Sequence, residues 1–283
     1  MAEPVHAKGA GAVPGALVDA LRMYGLLVWT WVRAAAQYPV SMVLLSLATA
    51  VVTGLDAAAI ALLFSRAPRI GGFDASEVLF LYGTSALSFG ISDVALGTTE
   101  RLGFHVREGS LDAILVRPVS PLVQLATEEF SPRRLGKLVP AVLVLAYALA
   151  RVDAPWTPGR VAMIPVMVLS GTAIFAGFWV LTAAVQFVLL EFHGAAKSLT
   201  YGGAFLSQYP MTVFGRDLVR GVTFVVPLAF VNWQPALYVL DRPDPLGLPD
   251  AARFASPLVA AVLCAAAALA WRAGLRHYRS TGS

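Results

Sequence analysis

Two acidic side chains interrupt stretches that are otherwise apolar: Asp56 in "VVTGLDAAAIALLF" and Asp93 in "SFGISDVALG". A carboxylate inside a membrane is costly, and it normally faces a bundle interior, a counter-charge or water. Each is therefore a candidate for binding a cation or coupling to a proton, or for a plain ion pair near the end of a span. Asp56 lies eight residues before Phe64 and is not terminal, whereas Asp93 is followed about two turns later by Arg101. A third polar feature is "REGSLDAILVRPVSPL", Arg107 to Leu122, set between two apolar segments. Gly109 permits a tight turn, Ser110 can cap a helix, and Asp112 suits the positive end of its dipole. Leu111, Ile114 and Leu115 make an i, i+3, i+4 apolar face, and Arg117-Pro118 stops the helix. With Glu108 and Arg117 as charged handles, this short helix is built to dock on a partner, or to rest on a bilayer as an amphipathic connector.

Other chemistries find no residues to carry them. The four histidines, His6, His105, His193 and His277, have no metal-ligand spacing. The sequence contains no Gly-rich loop ending in Lys-Ser or Lys-Thr, no Gly-x-Ser-x-Gly and no His-Glu-x-x-His. The single cysteine, Cys264, sits in "VAAVLCAAAALA" and reads as a small apolar residue of a span. Glu191, beside His193 and Lys197, reads as an interfacial cluster touching a partner or lipid headgroups.

The elements that must position these residues follow from composition. Hydrophobic residues make up 58% of the 283, charged residues only 13%, and mean hydropathy is +0.70. Soluble domains carry about 25% charged residues, so lipid must serve as part of the solvent. The apolar stretches are continuous rather than alternating, which points to helices and away from a β-barrel. The fold expected is an all-α integral membrane protein. No cleavable signal peptide is evident, because Pro4, Pro14, Asp19, Arg22 and Arg33 break up the first ~35 residues. Residues 1–15 read as a flexible tail. Over residues 16–37, Asp19, Arg22, Thr30, Arg33 and Gln37 fall on one helical stripe about 80° wide, with Trp29 and Trp31 suited to the headgroup level, so this helix is expected to lie in the membrane interface.

A transmembrane domain over residues 38–275 is expected to contain six spans: Pro39–Phe64, Val78–Thr99, Leu138–Val152, Val161–Leu190, Leu199–Phe214 and Ser256–Trp271, with Val222–Leu240 the alternative to Leu199–Phe214 as the fifth and seven spans if both cross. Small residues at Ala173 and Gly177 allow close packing in the fourth. The segment "VTFVVPLAFVNWQPALYVL", Val222–Leu240, contains Pro227, Asn232 and Pro235 and reads as a helical hairpin (about residues 217–240) dipping back into the membrane, where protein or water must cover the broken backbone. Residues 276–283 form a tail. Placing both termini inside assigns thirteen of the 21 Lys and Arg residues to the cytoplasmic side and eight to the other. The net charge of +4 then reflects loop placement rather than nucleic-acid binding.

Three stretches in order, "GGFDASEVLFLYG", "REGSLDAILVRPVSPL" and "YPMTVFGRDLVRGVTFVVPLAFVNWQPALYVL", resemble the permease subunits of ABC-2 type exporters, in particular the six-span bacterial subfamily. The second is similar to that subfamily's pattern of Gly, a small residue, Leu-Asp, two apolar residues and Arg-Pro-Val-Ser. The third is similar to its run of Pro, apolar residues, Phe-Val-Asn, an aromatic and Pro-Ala. Phe73 departs from a Trp common there, and Trp233-Gln234 from a commoner aromatic pair.

The resemblance implies an elbow helix over residues 16–37 and a re-entrant outer hairpin over Val222–Leu240. It also implies a cytoplasmic coupling helix over Glu108–Pro118, with Glu108, Gly109, Leu111, Asp112, Leu115, Arg117 and Pro118 docking on an ATP-binding cassette ATPase. Two ATPase copies and a second permease, the same or a related chain, would complete the transporter, with ATP and Mg on the ATPase and no cofactor in this chain. Asp56, Asp93, Pro227, Asn232 and Pro235 are the pathway or gate candidates. The cargo expected is an amphipathic drug, lipid or lipid-like compound, exported across a bacterial cytoplasmic membrane by alternating access. The competing reading is a secondary transporter or channel that uses Asp56 and Asp93, for which inverted repeats would be expected and none is seen.

Overall fold

The structure, a computed structural model, describes residues 14–128, 132–189 and 193–278. Among them all regular structure is helical. Helix α1 (Pro14–Ala35) and α2 (Pro39–Phe64) are followed by α3 (Ala75–Leu96). The chain around α3 runs on through a 3-10 turn into α4 (Leu102–Arg107), then α5 (Leu111–Leu115) and α6 (Pro121–Thr127). Next come α7 (Leu138–Arg151), α8 (Pro158–Val185) and α9 (His193–Ser207). Two short helices, α10 (Arg216–Phe224) and α11 (Trp233–Val239), precede α12 (Ser256–His277).

Helix α3 is the axis of the bundle. Its start is set by a capping box: the Asp74 carboxylate accepts from the N–H groups of Ser76 and Glu77, and Glu77 accepts from the Asp74 N–H at 2.9 Å. Val78 through Ser85 are buried without a break, because α7 and α8 pack on different sides of it. Helix α12 lies along α8. A β-carbon on Gly177 would come within 2.9 Å of Leu263, and the Cys264 thiol donates to the Ala173 carbonyl at 3.3 Å, so the small residues of α8 do let these two helices close together.

Helix α2 covers little of this core. Only Ala57 and Ile60 are buried, and most of its Leu and Val side chains face outward. The polar stripe of α1 is likewise uncovered, with Asp19, Arg22, Thr30 and Arg33 all exposed. That helix leans on α6, and its Tyr24 hydroxyl donates to the Ala95 carbonyl at 3.0 Å.

Six continuous spans are the expectation from hydropathy, and the helices divide the chain differently. Four segments are long and apolar enough to cross a bilayer: Pro39–Phe64, Ala75–Arg107, Pro158–Val185 and Ser256–His277. A fifth is available if α10 and the 228–239 segment, bent by 77° at their junction, together count as one. Helices α7 and α9, at 14 and 15 residues, are only about 21–23 Å long, short of the ~30 Å hydrocarbon layer. Helix α9 begins six residues ahead of the Leu199 expected from hydropathy and ends at Ser207, because Pro210 excludes the helical conformation just before it. The second span instead overshoots its expected end at Thr99 and continues to Arg107. A segment of 33 residues is about 50 Å long, longer than the ~30 Å hydrocarbon layer, and α5 follows its far end.

Candidate functional site

At that end, the chain from Gly97 to Glu128 is bound into one block. Gly109 turns α4 into α5 with φ +70°, a conformation that glycine alone adopts cheaply. Ser110 does not cap α5 as its position suggests. Its own backbone is already helical (φ −70°, ψ −13°), whereas a capping residue must be extended, and its hydroxyl instead pairs with His105 Nδ1 at 2.9 Å. His105 Nε2 in turn reaches Glu128 at 2.6 Å. That close contact is the main reason the Glu128 carboxyl is held below its ordinary value. Gln124 Nε2 donates to the carbonyl of Ile114, an orphan acceptor at the end of α5, and to that of Val119 in the link to α6. The buried Gln186, just beyond α8, accepts from the Gly103 N–H at 3.0 Å.

The expected apolar face of α5 therefore splits. Leu111 and Ile114 are buried within the chain itself, in a cluster with Leu102, Leu125, Val180 and Trp271. Leu115 remains 37% exposed and Val116 83% exposed, next to the exposed Glu108, Arg117 and Pro118. Asp112 is half-buried beside the Tyr278 hydroxyl after α12. What faces outward is thus a small ridge of mixed character, fixed rigidly to the ends of α8 and α12.

The two acids inside apolar helices have opposite environments. Asp93 is 2% exposed and accepts from Arg134 Nη1 at 2.9 Å and Lys137 Nζ at 2.5 Å. It sits in a three-residue ion cluster at the junction of α3 and the turn preceding α7. Asp56 is exposed on α2 and lines a cavity of about 400 Å³ with Tyr82, Phe89, Lys137 and Gln208.

At the opposite end, Pro227 breaks the chain between α10 and α11, and Pro235 sits in the first turn of α11, where no N–H is needed. Asn232 is fully buried. Its Nδ2 donates to the carbonyl of Leu81 on α3 at 2.9 Å and to that of Ser207, the last residue of α9, at 2.8 Å. The expected break at Pro227 thus exists, and Asn232 pins the broken segment to two other helices. Close by, Arg242 forks onto the buried Glu77 at 2.8 and 2.9 Å and lies 5.4 Å over the Phe73 ring.

Sequence reasoning missed the Asp93–Arg134–Lys137 cluster and the Glu77–Arg242 fork, whose partners stand 41 to 165 residues apart. The "DASE" capping pattern was the one local signal that could have flagged Glu77. Glu191 and residues 1–13 lie outside the described residues.

Comparison with protein families matches the model of the ABC-2 family transporter protein over residues 50–282. Comparisons with curated proteins and with solved structures find no match. The matched stretch takes in the docking, pathway and gate candidates from Asp56 to Pro235 and most of the chain, so this protein belongs to the ABC-2 family and is a membrane permease of ABC transporter type.

Proposed function

We propose that the chain forms part of the translocation pathway of an ATP-binding cassette exporter, moves an amphipathic or hydrophobic compound by alternating access, and is driven by a separate ATPase subunit. The family carries the partnership with such an ATPase. The observation that carries the docking site is the outward ridge of Glu108, Leu115, Val116, Arg117 and Pro118 at the far end of the α3–α4 rod. A push on this ridge is transmitted without slack, because α4, α5 and α6 are joined to one another and to α8 through His105, Gln124 and Gln186. This end faces the cytoplasm, with both termini on the same side. Two ATPase copies bind ATP and Mg, and a second permease, identical or related, supplies the rest of the pathway by covering the bare flank of α2. Helix α1 is then the elbow lying in the interface of a bacterial cytoplasmic membrane, and the Pro227–Asn232–Pro235 segment closes the pathway from outside. Asp93, already held by two cations, is not available for gradient coupling.

The test is whether the tagged chain, expressed with its neighbouring genes, co-purifies with an ATP-hydrolysing protein. Leu115→Asp with Val116→Asp should lower ATPase recovery at least tenfold while the permease remains monodisperse, since both side chains are exposed. Leu111→Asp should instead unfold the block, because Leu111 is buried in the chain's own core. Undiminished recovery with the ridge variant would remove α5 as the docking site.

A further inference from the structure

Asp56 is a carboxylate inside the apolar helix α2 that forms no ion pair among the described residues. It lies about 12 Å before the end of α2, counting eight residues to Phe64. It makes no ion pair and no hydrogen bond with any described residue. The nearby Tyr82 hydroxyl is already spent on the Thr53 carbonyl at 2.7 Å. An ionisable group left unpaired on so apolar a helix marks a binding or transport role more often than a structural one.

The cavity beside it has the composition of an organic-ligand site. Its volume, about 400 Å³, falls in the range of clefts that hold drug-sized molecules. Tyr82 and Phe89 supply aromatic wall, Leu45 and Val52 aliphatic wall, and Gln208 a neutral polar group. Ca²⁺ or Mg²⁺ would need about six or more oxygen ligands, which one carboxylate and a few neutral groups among apolar walls do not provide, and no group of three or more His, Cys, Asp or Glu suited to a metal occurs among the described residues. At the other end of the cavity, Lys137 lies 5.7 Å over Phe89 and shares Asp93 with Arg134. That trio carries a net charge of +1, two cations against one carboxylate, so it repels a cation from its own end and leaves Asp56 as the place where positive charge is stabilised.

The geometry points to a site for a lipophilic organic cation, with its charged centre at Asp56 and its apolar body against Tyr82 and Phe89. This rests on the exporter reading only in making the occupant the cargo; binding itself does not need the ATPase. The probe pair is tetraphenylphosphonium and tetraphenylborate, which share shape and hydrophobicity and differ in the sign of charge. Binding is measured by equilibrium dialysis to the full-length chain in neutral-lipid nanodiscs. The cation should bind at least tenfold more tightly than the anion. Asp56→Asn should weaken cation binding about tenfold and erase that preference, and Asp56→Glu should restore most of it. Because Asp56 is exposed and unpaired, the neutral variant should fold as the native chain does. Equal binding of the two probes, or cation binding to Asp56→Asn within twofold of the native chain, overturns the site. Recovery of the ATPase with the native chain is scored separately. Charge-selective binding without an ATPase keeps the site and removes the exporter reading, and ATPase recovery without charge-selective binding does the reverse.

Discussion

Replacing Asn232 by leucine, which has nearly the same shape, isolates what its amide contributes. The side chain is fully buried and donates two hydrogen bonds, to Leu81 O at 2.9 Å and Ser207 O at 2.8 Å. Each is worth about 1 kcal/mol net. The Ser207 carbonyl ends α9 and has no later helical N–H to meet it, so its loss of a partner adds about 1–2 kcal/mol. The volume is conserved, so no cavity term enters, but Asn232 Oδ1 is buried with no partner among the described residues, and removing it offsets about 1 kcal/mol, so the total is about 2 kcal/mol. For a chain of this size that corresponds to a fall in Tm of roughly 4–8 °C. Unfolding in detergent can be followed with a thiol-reactive dye, because Cys264 is the single cysteine and is half-buried beside α8. A fall of less than about 2 °C would show that the bent segment is held by apolar packing alone and that Asn232 pins nothing.

Asp93→Asn strands the half-buried Arg134 and Lys137, and removing one member of such a cluster costs about 3–5 kcal/mol. The same dye assay should show that loss, and a triple variant with all three positions changed to leucine should recover most of it. Asp74→Ala removes the α3 cap and should cost about 1 kcal/mol. Burial pushes the Asp74 carboxyl up, but hydrogen bonds from the Ser76 hydroxyl and the Glu77 and Ser76 N–H groups, helped by Arg242, hold it below its usual value. A depressed carboxylate contributes stability that is complete above its unfolded pKa of about 4 and is lost as pH falls through the lower folded value. Tm measured against pH should therefore fall less steeply below about pH 4 in Asp74→Ala than in the native chain, and parallel curves would show that this carboxylate carries no pH-dependent stability.

Continuous apolar windows determined, from the sequence alone, that this is a helical membrane protein. They also placed the Pro39–Phe64 helix at its observed bounds, and Gly109 marked the turn before α5. These are local properties: hydropathy and backbone preference act over one turn to about 20 residues. The same windows erred where a helix end is set by something other than hydropathy. The rod through α3 and α4 runs past Thr99 because buried contacts with Gln186 and α6 support it, and α9 stops early before Pro210. Only the tertiary structure decided that Asp93 is spent on Arg134 and Lys137 while Asp56 is left facing a cavity, since those partners stand 41 and 44 residues away in the sequence. It also turned Leu111 and Ile114 inward and left Leu115 and Val116 outside. Which face of an amphipathic turn is covered, and which charge finds a partner, depends on chain segments dozens to more than a hundred residues away, and those meet only when the bundle packs.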